Sequence, residues 1–161
     1  MNAAAALSRP RTALLLFLGV TLLTGMAGGL ATEAGKDGWY ERLAKPDWTP
    51  PDAAFPIVWT ALYVAMAVAA WRVWRRAGWR QPALRLFWTQ LAVNFAWSFL
   101  FFAWHRIGLA LADAALLLIL VAATAMLFLR IDRPAGLLMV PYLAWTGYAV
   151  ALNWALWRMN G

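Results

Sequence analysis

Cysteine is absent from the 161 residues and histidine occurs once. Disulfides, thiolate metal sites, cysteine nucleophiles and a histidine-rich zinc centre are therefore excluded. Serine is nearly absent as well. Only Ser8 and Ser98 are available as nucleophiles, and neither has a base in evident reach, which argues against a hydrolase. Charge is scarce, at 13% of residues, and it is confined to short stretches between long apolar runs. The net charge of +7 forms no basic stripe on a soluble face, so it points away from nucleic acid and toward membrane orientation.

What is present is apolar surface, 64% of the chain. A hydrocarbon layer of about 30 Å needs roughly 20 apolar residues per helix. Five runs reach or approach that length, at about 12–32, 56–74, 84–104, 109–129 and 136–157. They predict an all-α integral membrane protein, a five-transmembrane-helix bundle forming a single domain over residues 1–161. The first run is long and lacks a clean small-residue cleavage site, which disfavours a signal peptide. Residues 33–55 form the longest connection and carry Glu33, Asp37, Glu41, Asp47 and Asp52. Nine basic residues flank the N-terminus and the second and fourth connections, against five on the other side. That bias predicts a cytoplasmic N-terminus with the first loop outside. An odd number of spans without a repeat disfavours a duplicated transporter.

Twelve tryptophans exceed what two interfacial belts require. Trp39, Trp48, Trp71, Trp74, Trp79, Trp104, Trp154 and Trp157 fall near span ends, where an indole anchors at the interface. Trp59, Trp88, Trp97 and Trp145 lie deeper and suggest an aromatic-lined cavity, with helix packing as the alternative. Trp59 and Tyr63 are one helical turn apart and share a face. Asn94 must turn its amide toward another helix or a ligand. Asp113 is read as a structural hydrogen-bond partner or an interfacial residue, because no second buried carboxylate or histidine continues a proton relay. Gly25 with Gly29, and Ala92 with Ala96, are spaced for close helix approach, between monomers or within one. The stiff aromatic loop around Trp39-Tyr40 and Lys45-Pro46-Asp47-Trp48-Thr49-Pro50-Pro51 reads as a lid over the bundle or a structural cap.

These loop motifs, with Phe55-Pro56-Ile57-Val58-Trp59-Thr60-Ala61-Leu62-Tyr63, Gln90-Leu91-Ala92-Val93-Asn94, Pro141-Tyr142-Leu143-Ala144-Trp145 and Leu152-Asn153, resemble the tryptophan-rich sensory protein (TspO/MBR) family, which includes the mitochondrial translocator protein. The resemblance covers nearly the whole chain. It implies a membrane receptor or sensor, often a homodimer, that binds a tetrapyrrole such as protoporphyrin IX or haem non-covalently in a pocket closed by the first loop. By position, Tyr40, Trp59, Tyr63, Asn94 and Trp145 match family pocket residues, and Trp48 joins Tyr40 in the lid. Two further readings stay open: light-dependent porphyrin degradation involving Trp59 and Trp145, and porphyrin or lipid transport. No metal ligand set is implied. The chain departs from the family pattern at Ala53, where an aromatic is common, leaving one pocket wall more open. Trp154 replaces the tyrosine that the weak sterol-recognition pattern of animal members requires, which argues against sterol binding.

Overall fold

The computed structural model describes residues 10–36 and 38–161, so the expectations placed on Ser8, Arg9 and Asp37 lie outside it. Among the described residues the regular elements are all helical: α1 (Pro10–Lys36), α2 (Trp39–Arg42), α3 (Ala54–Ala77), α4 (Pro82–Ser98) with a π-helical turn (Phe99–Ala103), α5 (Ile107–Ile131), α6 (Arg133–Leu138) and α7 (Val140–Asn160). Five stretches are long and apolar enough to cross a bilayer: Pro10–Gly35, Ala54–Ala77, Pro82–Ala103, Ile107–Ile131 and Arg133–Asn160, the last combining α6 and α7. The molecule is a five-helix, multi-pass membrane bundle. Several helices outrun the apolar stretch that marks them: α1 continues past Thr32 and α3 past Trp74. Alanine, glutamate and arginine favour helix in water as well as in lipid, so hydropathy locates the membrane edge and not the helix end.

Local signals set the starts and stops. Pro82, Pro134 and Pro141 each lie in the first turn of their helix, where a missing N–H breaks no hydrogen bond. α3 ends at Gly78, whose φ of 77° suits glycine, and its N–H donates to the Trp74 carbonyl at 2.8 Å.

Around the bundle, α1 packs on α3, α4 and the π turn, α4 packs on α5, and α5 packs on α7. α3 closes the ring chiefly through α6, while its contact with α7 is slight. The outer faces are apolar: Leu15, Leu30, Ile57 and Ile119 are 68%, 71%, 72% and 67% exposed. Thr21, Gln90, Asn94, Thr124, Thr146 and Asn153 are buried inside. This inversion of a soluble protein follows from a solvent without hydrogen bonds, which polar groups must avoid and apolar groups need not.

Because lipid gives helices no hydrophobic reason to associate, contact depends on small residues and interhelical hydrogen bonds. A Cβ at Gly25 would run into the Tyr63 ring, and one at Gly35 into the Phe102 carbonyl, whereas one at Gly29 would meet nothing. The expected Gly25/Gly29 pair is thus split: Gly25 packs within the monomer and Gly29 faces outward. On α4, Ala92 is exposed while Asn94 is buried.

Candidate ligand site beneath the first loop

Four interior residues form a polar chain across three helices. Tyr63 donates its hydroxyl to Asn94 Oδ1 at 2.5 Å, and Asn94 Nδ2 donates to the Tyr142 hydroxyl at 3.1 Å. Tyr142 donates onward to Gln90 Oε1 at 2.9 Å, and Gln90 Nε2 lies 4.0 Å from Met66 Sδ. All four members are buried. Satisfied networks of this kind specify one packing, because each lost partner strands a polar group in a low dielectric. Trp59 covers the two tyrosines, with ring centroids 5.6 Å from Tyr63 and 6.1 Å from Tyr142.

Beside this chain lies an apolar groove between α3 and α7, with a volume of 370 Å³. Val58 and Leu62 form one wall, Pro141, Ala144, Trp145 and Tyr148 the other, and Pro50 of the first loop contributes from above. It sits where α3 and α7 make little contact. The Tyr148 hydroxyl donates to the Trp48 carbonyl at 2.7 Å, and the Trp48 ring meets Tyr148 edge-on at 5.6 Å. Trp145 lies 5.6 Å from Tyr148 and 6.0 Å from Phe55, so loop and groove share a run of aromatic rings.

A second attachment ties the loop to the far end of α7. Asn160 Oδ1 accepts from the Ala44 N–H at 2.8 Å, and Asn160 Nδ2 donates to the Ala44 carbonyl at 2.9 Å. One amide thus pairs with both backbone groups of a loop residue. Tyr40 is buried in a separate apolar cluster with Phe101 and Phe102, and Lys45 Nζ lies 4.0 Å above its ring. Burial, and secondarily the negative charge of Asp52, push the Tyr40 phenol upward from its ordinary value of 10.0. It stays neutral and serves as a docking anchor for the loop.

The structure therefore brings Trp59, Tyr63 and Asn94 together at the polar chain, and Trp48 and Trp145 together at the groove. Tyr40 lines neither, but sits in a neighbouring apolar cluster against which Phe55 and Tyr148 also pack. The interior tryptophans do not line one cavity. Trp88 stacks on Phe17 at 5.4 Å near the start of α1, and Trp97 donates to Asn153 Oδ1 at 3.0 Å. Trp74, near the end of its span, is turned into the bundle, its ring 5.3 Å from Trp79. Tyr142, Gln90, Tyr148 and Asn160 were not singled out from the sequence; the first two are polar residues within apolar runs, the same signal that marked Asn94.

Of the two placements expected of Asp113, the structural hydrogen bond is absent among the described residues. Its Oδ2 is buried without a hydrogen-bond partner. Three donors on the helices packed against α5 point elsewhere: Trp97 to Asn153, Tyr142 to Gln90, and Asn153 to the Ile107 carbonyl at 3.1 Å. Among the described residues no group of three or more metal-ligating side chains occurs.

Comparison with known proteins agrees with this architecture. The family model described as TspO/MBR family matches residues 17–158. The chain is 38% identical over 151 residues to the tryptophan-rich protein TspO of Chlorobaculum tepidum, covering 91% of this chain and 95% of that one. It is 44% identical over 124 residues to the tryptophan-rich sensory protein of Cereibacter sphaeroides, covering 77% and 78%. The translocator protein of Bos taurus is 38% identical over 150 residues, covering 89% of each chain.

Proposed function

The chain belongs to the TspO/MBR family, and from that premise we propose that it is a membrane receptor or sensor for a tetrapyrrole of the protoporphyrin IX kind. The observation that carries this reading is the apolar groove under the first loop, walled by Trp145 and Tyr148 and roofed by Pro50. Flat aromatic ligands take their affinity from stacking and apolar contact, and their orientation from a few polar groups. Trp59 and Tyr63 lie on α3, the helix that supplies the Val58–Leu62 wall, so a ligand reaching past Leu62 meets the Tyr63–Asn94–Tyr142 chain and exchanges hydrogen bonds with a network already complete. At 370 Å³ the groove stands near the lower end of the ~300–1,000 Å³ usual for small-molecule sites. A macrocycle therefore enters by lifting the Trp48–Pro50 segment. Lys45 supplies a cation on the loop for a propionate.

A second reading is light-dependent breakdown of the bound porphyrin, and one observation favours it: Trp145, Tyr148 and Trp48 form a contiguous run of oxidisable rings at the groove. Porphyrin or lipid transport has no comparable support. We also infer a cytoplasmic N-terminus from the arginine bias, and a homodimer in which the exposed Ala92 face of α4 meets its copy.

The test is titration of protoporphyrin IX into purified protein, followed by tryptophan quenching in the dark and under illumination, with Trp59→Phe and Trp145→Phe in parallel. Saturable dark binding that Trp145→Phe weakens supports the receptor. New absorbing products that form under light and require Trp145 support the degradative reading. Absence of saturable binding in either condition rejects both.

A further inference from the structure

The two ends of the bundle differ sharply in charge. At the end holding the start of α1, the α3–α4 connection and the α5–α6 connection, the described residues include Arg11, Arg72, Arg75, Arg76, Arg80, Arg85, Arg130 and Arg133, against one carboxylate, Asp132. At the opposite end the basic residues face Glu33, Glu41, Asp47 and Asp52. Residues 1–9 contain no acidic residue.

Three chain segments are fixed together at the arginine end. The Trp71 indole donates to the Pro10 carbonyl at 2.8 Å, joining α3 to the start of α1. Asp132, itself buried, receives Arg72 Nε at 2.5 Å and Arg76 Nε at 2.8 Å, joining α3 to the α5–α6 connection. The one counter-charge is thereby held by two guanidinium groups. Arg75 lies 4.8 Å from the Trp71 ring centroid. Arg80, Arg85, Arg130 and Arg133 are exposed and make no ion pair among the described residues.

Arginines gathered at one end of the bundle with a single, already engaged carboxylate leave a net positive surface, which an anionic partner neutralises. Solvent-level guanidinium groups directly beyond the hydrocarbon edge face lipid headgroups, and a planar fork matches phosphate oxygens. We propose that the arginine end of the bundle is a binding surface for anionic phospholipid headgroups, with Arg80, Arg85, Arg130 and Arg133 making the phosphate contacts and the Arg72–Asp132–Arg76 clamp holding α3, which Arg80 follows, against the connection that carries Arg130 and Arg133. Ordinary positive-inside placement orients a chain without selecting retained lipids; a surface held by this clamp selects them.

The test uses the full chain purified in a neutral detergent and titrated with phosphatidylglycerol or phosphatidylcholine of identical acyl chains, reading retained lipids by native mass spectrometry. The wild type is expected to prefer phosphatidylglycerol at least tenfold in 0.1 M NaCl and to lose that preference near 1 M, as the screening length falls from about 10 Å to 3 Å. Equimolar inorganic phosphate is expected not to compete. The Arg80→Gln/Arg85→Gln/Arg130→Gln/Arg133→Gln variant is expected to lose the preference, since each surface arginine contributes about fivefold. Arg106→Gln/Arg158→Gln, at the other end, is expected to keep it. Equal retention of both lipids by the wild type, a preference that persists at 1 M NaCl, one that survives the quadruple substitution, or displacement by free phosphate would overturn the proposal. Should the quadruple variant not fold, the salt titration and phosphate competition of the wild type decide alone.

Discussion

Removal of one hydroxyl from the end or from the middle of the buried polar chain gives a quantitative test of how that chain is wired. Tyr63 is a terminal member, which donates to Asn94 and accepts nothing within the chain. Tyr142 is internal, accepting from Asn94 and donating to Gln90. Tyr63→Phe deletes one bond and leaves the buried Asn94 Oδ1 without its donor, a single stranded group at about 1 kcal/mol, against an average of about 0.6 kcal/mol for an interhelical hydrogen bond in lipid. Tyr142→Phe deletes two and strands an amide N–H of Asn94 together with the Gln90 carbonyl, each of which costs about 1 kcal/mol or more when buried without a partner. The expected destabilisations are about 1 kcal/mol for Tyr63→Phe, with one stranded group, and about 2–3 kcal/mol for Tyr142→Phe, with two. Asn94→Ala sharpens the comparison. Alone it leaves the Tyr63 hydroxyl without an acceptor, whereas in Tyr63→Phe/Asn94→Ala that stranded donor is gone. The double variant should be more stable than the sum of the singles predicts by about 1 kcal/mol or more. Unfolding of purified protein in mixed micelles, titrated with a denaturing detergent and followed by tryptophan emission, measures all four. Equal costs for the two tyrosine substitutions, or additivity within about 0.5 kcal/mol, would show that the hydrogen-bond order assigned here is incorrect.

Other outcomes follow from single contacts. Asp132 lies between the fourth and fifth spans, and its carboxyl is held below the usual carboxylate range, first by the Arg72 hydrogen bond and further by the Arg72 and Arg76 charges. A lowered folded-state value means that its stabilisation is complete above the unfolded value of about 3.9 and is lost as pH falls through the folded one. Wild-type stability should therefore drop in that acid range, while Asp132→Asn should lack this component and be less stable by about 1.5–3 kcal/mol at neutral pH; identical pH profiles for the two proteins would contradict the clamp. Gly29→Ala and Gly35→Ala should move thermal stability in opposite directions. The first gains up to about 1 kcal/mol of helix propensity, and the second loses about 1–3 kcal/mol because a backbone carbonyl cannot move aside as a flexible side chain can. Asn160→Ala should speed amide exchange at Ala44 about fivefold or more, from loss of a bond worth about 1 kcal/mol; unchanged exchange would show that the loop is held elsewhere.

Much of the architecture was readable one residue at a time, because lipid solvation acts on each residue separately: the five spans, their prolines and the long first connection follow from composition along the chain. Helix ends past the membrane edge were not, since Glu33 and Arg75 carry no hydropathy signal for helix. Pairings were the least legible. Asn94 was identifiable as an amide needing a partner, but its binding to both Tyr63 and Tyr142 depends on the order of helices around the bundle. The same holds for Trp97 with Asn153. For Asp113 the hydrogen-bonding alternative fails for a related reason: it presumes a free donor nearby, and Trp97, Tyr142 and Asn153 are directed to other acceptors.

The attachment of the first loop to α7 has a consequence for biogenesis. Ala44 and Asn160 are separated by 116 residues, and at about 5–20 residues per second a ribosome needs roughly 6–23 s to cover that interval. Throughout it the loop has neither Asn160 nor Tyr148 to hold it. A nascent chain with its first helices inserted must keep this segment soluble by its own charges, which gives Glu41, Arg42, Asp47 and Asp52 a task that ends once the fifth span arrives. Insertion of that span and closure of the loop then become one event, so a chain stalled before α7 presents an open bundle to the membrane's quality-control proteases.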